Sequence, residues 1–199
     1  MQDALPGDGR LAPDLALTVR HDGHGGVADD LSDPAGLTAW VRGHADVLPV
    51  APGYAADARD LTAVRDLRAA VRALFAHAVR PGAPNPADAA RLPSAADALD
   101  RLDTAAARLP TVPVLHRGDG AGPRVGRRPV PDGDDLGAAL AQAVIAFLGG
   151  PDRQRLRACH APRCVRCFLE DHPRQEWCGP SCGNRARVAR HHERHRRAS

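Results

Sequence analysis

Two short stretches near the C-terminal end decide the organisation of this chain: CHAPRCVRC at residues 159–167 and WCGPSCGNR at residues 177–185. Together they contain all five cysteines of the 199 residues. Clustered cysteines in a cytosolic protein favour metal binding over disulfides. Zinc prefers a closed tetrahedral set of thiolates in structural sites, and each short loop would bring two sulfurs to one side of the ion. We therefore predict one structural zinc ion in this segment.

Five thiols compete for the four positions around such an ion. The spacing alone allows either Cys164 and Cys167 or Cys159 and Cys164 as the first pair, while Cys178 and Cys182 form the second pair in both cases. Cys182 is expected in the first turn of the final helix, where backbone N–H groups stabilise a thiolate. The spacing therefore predicts the second pair and leaves the first pair open.

The charge of the chain is strongly segregated. The sequence has no lysine, so all 27 basic residues are arginine. Residues 151–199 contain 12 arginines and five acidic residues, a net charge of +7, whereas residues 1–150 contain 15 arginines and 19 acidic residues, a net charge of −4. A basic segment beside an acidic domain indicates a partner that carries negative charge.

The last helix of the chain is predicted to carry a basic stripe. Arg187, Arg190, Arg194 and Arg197 recur at intervals of three, four and three residues, which places them on one face. Such a helix fits the DNA major groove, and an aromatic content of 3% disfavours single-stranded nucleic acid, which is held by stacking. We predict that these four residues and Arg185 contact double-stranded DNA.

Other interpretations stay open at this point. The basic helix could be a solvated tail, or part of a zinc-stabilised adaptor that docks an acidic protein partner. The N-terminal domain could instead bind a small molecule or be an enzyme whose active site shows no recognisable motif. Arg185 could brace the zinc site instead of contacting DNA, since residues just after a ligand often orient it. The oligomeric state is unknown.

The first 150 residues are predicted to form a mainly α-helical domain. The clearest helix runs from about residue 57 to residue 79, with its larger apolar side chains on one face and Arg65, Arg68 and Arg72 off that face. Residues 1–12 are expected to be loose. Alanine-rich composition agrees with closely packed helices.

The same domain is predicted to contain one β-hairpin. Its strands cover residues 112–117 and 124–130 and are joined by the glycine-rich turn 118–122. Ser94 is predicted to cap the preceding helix, and Asp134 or Asp135 the following one. The predicted class is thus mainly α with a β-hairpin (α+β). A helical domain over 1–150, with its hairpin near 112–130, precedes a four-cysteine zinc module over 151–199 that ends in the arginine-rich helix.

Several function classes are disfavoured. No apolar run is long enough to span a bilayer, and residues 1–11 lack the signature of a signal peptide, so we expect a cytoplasmic protein with no membrane partner. No catalytic constellation is present, so we predict that the protein is not an enzyme. His160 and His172 are interpreted as solvated loop residues, and a second metal at His21 and His24 is disfavoured.

The segment around the second cysteine pair resembles the CGNR zinc finger family. The resemblance rests on Trp177, Cys178 and the run Cys182–Arg185, followed by an arginine-rich helix. It implies an upstream helical domain named ABATE, a stress-response transcription regulator, and zinc ligands at four positions of this chain: Cys159, Cys164, Cys178 and Cys182. In that pattern Cys167 is a small buried residue outside the ligand set.

Overall fold

Residues 8–22, 26–48, 50–51, 53–79, 91–117, 122–130 and 135–198 are described in the computed structural model of this chain. The helices and strands follow one another in this order: α1 Asp8–Leu17, β1 Val19–His21, β2 Val27–Asp29, α2 Pro34–Arg42, α3 Ala58–Val79, α4 Ala95–Ala106, β3 Thr111–His116, β4 Arg124–Pro129, α5 Leu136–Gly149, a 3-10 helix Pro151–Arg155, β5 Leu156–Ala158, β6 Cys167–Leu169 and α6 Pro180–Ala198. The strands pair into three antiparallel two-stranded sheets, so the predicted α+β class is confirmed.

Helix α3 organises the core, because its apolar residues recur at the spacing of one helix face. That face is buried and packs against α1, α4 and α5. Phe75 on α3 and Phe147 on α5 lie with ring centroids 5.3 Å apart at the centre of this contact. The predicted boundaries of α3 agree with the structure to within one residue at the start.

Two expectations about the N-terminal domain were wrong. Residues 8–12 belong to helix α1 and are not loose, because Leu11 and Leu15 are buried against the other helices, whereas residues 1–7 lie outside the described part. Arg68 and Arg72 do not lie off the buried face of α3 and are only 5% and 9% exposed. The guanidinium of Arg68 donates two hydrogen bonds of 2.6 Å to the carboxylate of Asp29 and one of 2.9 Å to the Thr18 hydroxyl.

The predicted capping residues act at the helix starts. The Ser94 hydroxyl accepts a hydrogen bond from the Asp97 amide, and Asp135 accepts one from the Ala138 amide. Asp134, the other candidate, lies outside the described residues. Asp135 also forms a bidentate ion pair with Arg108, at 2.8–3.0 Å, which links the end of α4 to the start of α5.

The hairpin predicted near residues 112–130 is formed by β3 and β4. Its register runs from Thr111 opposite Pro129 to His116 opposite Arg124, and the connecting residues 118–121 lie outside the described part. The hairpins β1–β2 and β5–β6 were not predicted, because strands of three residues are too short to show an alternating pattern.

The hairpin β5–β6 attaches the cysteine-rich segment to the helical domain. It packs on α1 and α3, and Leu156 is 3% exposed within the main hydrophobic core. The guanidinium of Arg166 donates a hydrogen bond of 3.2 Å to the carbonyl of Leu17, at the end of α1. The start of the C-terminal segment therefore shares its core with the N-terminal domain.

Candidate metal centre and basic helix

Four sulfur atoms converge in the C-terminal segment. The sulfurs of Cys159, Cys164, Cys178 and Cys182 all lie within 4.8 Å of one another. Sγ–Sγ distances are 3.8 Å for Cys164–Cys178, 3.4 Å for Cys178–Cys182 and 3.7 Å for Cys182–Cys164. A tetrahedron with zinc–sulfur bonds of about 2.3 Å has sulfur–sulfur edges of about 3.8 Å. The number, type and spacing of these donors fit one zinc ion.

Backbone amides donate hydrogen bonds to the sulfurs of the first cysteine pair, Cys159 and Cys164. Cys159 follows β5, and Cys164 ends a tight turn in which Arg163 adopts a positive φ of 62°. The amides of Ala161 and Cys178 donate to the Cys159 sulfur, and the amide of Arg166 donates to the Cys164 sulfur. Such N–H···S bonds stabilise thiolates. No side-chain pattern could reveal them in advance, because the donors are main-chain groups.

Three of the sulfurs perturb one another's ionisation. Hydrogen bonds from the Cys164 and Cys178 thiols hold the pKa of Cys159 far below its ordinary value. The same bonds raise the pKa of Cys164 to about 12 and raise that of Cys178 as well. The close sulfurs therefore oppose one another's ionisation. A divalent cation removes this restriction, since it allows all four sulfurs to be charged together.

A small apolar shell encloses the cluster. Ala161 and Phe168 are each 4% exposed and pack with the buried cysteines, and Ala186 on α6 is also 4% exposed. Trp177 covers the first turn of α6, where a Cβ atom on Gly183 would lie 3.2 Å from the indole Cδ1. A small residue at position 183 therefore permits the indole to pack closely beside the sulfurs.

Cys167 lies in strand β6 and is not part of the four-sulfur cluster. It is partly buried and packs against the main hydrophobic core. Of the two first pairs that the spacing allowed, the structure brings Cys159 and Cys164 together with the second pair. His160 and His172 are both exposed and contribute no atom to the cluster.

Arg185 turns back toward the metal centre. Its guanidinium nitrogen lies 3.0 Å from the sulfur of Cys182, three residues earlier on α6, and donates to it. Its Nε is buried without a hydrogen-bond partner. This contact supports the interpretation that Arg185 braces the zinc site, because its guanidinium donates to the sulfur of a proposed ligand. Asn184 beside it is exposed and accepts a hydrogen bond from Arg187.

Beyond the cluster, α6 extends into solvent. Cys182 and Ala186 anchor its first turns, whereas every residue from Arg187 to Arg196 is exposed. No ion pair among the described residues engages Arg190 or Arg194. The side chain of Arg197 lies outside the described part. Further along the same helix, the Nε2 atoms of His191 and His195 are 3.1 Å apart.

Comparison with family models accounts for both parts of the chain. Residues 9–151 match the ABATE family, described as “Putative stress-induced transcription regulator”, and residues 155–195 match the CGNR zinc finger. The chain belongs to the ABATE family. A search of the curated proteins gave no match.

The family and the geometry together define the metal centre of this ABATE protein. Its CGNR zinc finger has four cysteines positioned to bind one metal ion, consistent with one structural zinc. Four protein ligands close the coordination sphere, so the expected role of the ion is to fold the finger. None of the described helices is both long enough and apolar enough to cross a membrane.

Proposed function

We propose that this ABATE protein is a transcription regulator that binds double-stranded DNA through its zinc-anchored arginine helix. The observation that carries the proposal is the position of α6. Cys182 and Ala186 hold its first turns, while the ten residues after Ala186 project a series of arginines into solvent. The description of the family as a regulator of transcription supports the same assignment.

Electrostatics favour a polyanionic partner even after metal binding. Four thiolates and one Zn²⁺ ion together add −2, which lowers the net charge of residues 151–199 from +7 to +5. A segment of that charge attracts phosphates and releases counterions when it binds them. The exposed length of α6, residues 187–196, is about 15 Å, and an α-helix fits the DNA major groove.

The two parts of the chain have different roles in this proposal. In this proposal the helical domain receives a signal or mediates assembly, and the zinc finger carries the nucleic-acid contact. The protein acts as a binding protein in the cytoplasm and not as an enzyme. Docking of α6 on the chain's own acidic domain is disfavoured, because no ion pair among the described residues joins Arg190 or Arg194 to that domain.

The test is a salt titration of duplex DNA binding by the zinc-loaded full-length protein, followed by fluorescence anisotropy. If the helix neutralises four phosphates, log Kobs should fall against log salt with a slope of about −3.6. Replacement of Arg190 and Arg194 by alanine should flatten this slope by about 1.8. The wild-type protein failing to bind near physiological salt would overturn the proposal.

A matched control separates a local contact from a general loss of charge. Arg59 on α3 and Arg101 on α4 are exposed arginines of the helical domain. The variant Arg59→Ala/Arg101→Ala removes the same charge far along the sequence from α6, so it should leave the slope close to that of the wild type. Equal flattening by both variants would mean that the arginines of α6 are not the phosphate contacts.

A further inference from the structure

The hairpin β3–β4 is a second exposed basic element. We call its paired strands, together with Arg117, the β-arm. Successive strand residues point to opposite faces, and residues of both faces are exposed: Val112 by 38% and Leu115 by 71%. Strands β3 and β4 contact each other extensively, and neither makes a comparable contact with any other described helix or strand. The β-arm therefore stands away from the core.

The base of the β-arm is fixed to the helical domain by polar contacts. The ion pair between Arg108 and Asp135 joins the segment that leads from α4 into β3 to the N-cap of α5, the helix that follows β4. The side-chain amide of Gln142 on α5 donates a hydrogen bond of 2.7 Å to the carbonyl of Leu109. The amide of Val130 donates one of 2.8 Å to the carbonyl of Pro110. An isolated two-stranded hairpin is marginally stable. These polar contacts at its base explain how the β-arm keeps its position.

The β-arm reverses the charge of the domain that carries it. Residues 111–130 contain four arginines and one aspartate, a net charge of +3, whereas the rest of residues 1–150 sums to −7. Arg117, Arg127 and Arg128 are exposed. Arg127 is braced by a hydrogen bond of 2.7 Å from its Nε to the Thr111 hydroxyl. A GC-rich coding sequence would favour arginine over lysine throughout the chain. Such a bias does not explain why arginines are concentrated in this hairpin.

We propose that the β-arm is a second nucleic-acid contact, which binds the phosphates of the same double-stranded DNA as α6. This inference rests on the proposed function and extends it to the helical domain. A two-stranded ribbon fits the major groove with one face toward the base edges, and long side chains at its margins can reach the phosphates on either side of the groove. Leu115 and Val112 lie on opposite faces, so the face turned to the base edges brings one of them to thymine methyl groups, while the arginines suit phosphates.

The experiment compares two pairs of arginines in the zinc-loaded full-length protein. Arg117→Gln/Arg128→Gln removes two arm charges and leaves the braced Arg127 in place, and Arg59→Gln/Arg101→Gln is the control of equal charge. Duplex binding is measured by anisotropy over a range of salt. The arm variant should flatten the log–log slope by about 1.8, and the control should not. Thermal unfolding should be unchanged in both variants, since all four side chains are exposed.

A second measurement does not depend on substitution. Phenylglyoxal modifies exposed arginines, and mass spectrometry locates the modified sites. Bound duplex should protect Arg117 and Arg128 of the wild-type protein but not Arg59 and Arg101. Full reactivity of the arm arginines in the complex would overturn the β-arm proposal.

The outcomes distinguish this inference from the proposed function. If the wild-type protein binds DNA and Arg190→Ala/Arg194→Ala weakens binding, while the arm variant keeps the wild-type slope, the β-arm proposal is wrong and the proposed function stands. If the arm variant keeps that slope and instead loses self-association in sedimentation equilibrium, the arm contacts a second copy and the proposal is also wrong. No duplex binding by the wild-type protein overturns both.

Discussion

Single sulfur atoms decide whether the finger folds. Cys178 lies 3.4 Å from Cys182 and 3.8 Å from Cys164, sulfur to sulfur, whereas Cys167 lies outside the cluster. We expect Cys178→Ser to lose zinc, because it removes one of the four thiolates that would close the coordination sphere. Cys167→Ser should retain one zinc ion per chain. Metal analysis by mass spectrometry after dialysis measures both.

The reverse pattern would contradict this ligand set. If Cys167→Ser releases the metal and Cys159→Ser keeps it, the other first pair allowed by the spacing binds the ion.

Substitution of Arg185 tests whether its guanidinium stabilises the zinc site. Its guanidinium donates to the Cys182 sulfur at 3.0 Å, so Arg185→Ala should weaken zinc binding by about 10–100-fold. Arg187→Ala removes the same charge from an exposed position and should leave zinc affinity unchanged. Competition with a chromophoric chelator measures the zinc affinity. Unchanged zinc affinity in Arg185→Ala, with weaker DNA binding, would identify this guanidinium as a phosphate contact.

At the scale of elements, a buried ion pair joins α3 to the hairpin β1–β2. Burial raises the pKa of Asp29, but hydrogen bonding and charge from Arg68, the amide of Leu31 and the charge of Arg65 outweigh it, so the net pKa lies below the ordinary 3.8. Because the folded pKa is lowered, the stabilisation is present above pH 3.8 and is lost as the pH falls through the folded value.

Removal of the carboxylate leaves the Arg68 charge buried. Asp29→Asn should therefore lower the free energy of unfolding by about 2–3 kcal/mol at pH 7, somewhat less than for a fully buried pair because the Asp29 side chain is 21% exposed. Urea unfolding at saturating zinc measures the change, which should shrink toward pH 3. Asp30→Asn, whose ion pair with Arg20 is half exposed, should change stability by less than about 1 kcal/mol. Equal effects of the two substitutions would contradict the account.

The longer elements could be predicted from the sequence because their signals are local. The apolar spacing of α3 and the caps Ser94 and Asp135 act within a few residues of one another. The burial of Arg68 could not be predicted, since only Asp29, 39 residues away, makes it favourable. The start of helix α1, at residues 8–12, was missed for a related reason, since α1 packs on α5, which is distant in sequence.

At the scale of the whole molecule, the two parts share one core. Leu156 is 3% exposed and belongs to the same buried cluster as the helices. Leu156→Ala should lower the free energy of unfolding by about 3 kcal/mol and keep a single unfolding transition. Leu115→Ala, at a position 71% exposed, is the control and should have an effect below about 0.5 kcal/mol. Circular dichroism during urea unfolding measures both. Two separate transitions, with the helical domain unaffected by Leu156→Ala, would contradict a shared core.

The metal centre could be predicted from sequence more fully than its surroundings. Cysteine spacing identified the second pair, and the family resemblance favoured Cys159 over Cys167 in the first. The attachment of the finger to the helical domain could not be predicted, because the packing of Leu156 and the hydrogen bond from Arg166 to Leu17 join residues distant in sequence. The exposure of the β-arm also required the structure, since alternation in sequence does not show which face is covered.

We infer that zinc folds a helix that binds double-stranded DNA. The most direct measurement is duplex binding by one protein sample before chelation, after chelation and after return of zinc, at fixed salt. We predict binding with a steep negative salt slope in the zinc-loaded protein, loss of at least tenfold in affinity after chelation, and recovery when zinc is restored. Absence of binding by the zinc-loaded protein, or the same affinity and salt slope without zinc, would contradict the claim.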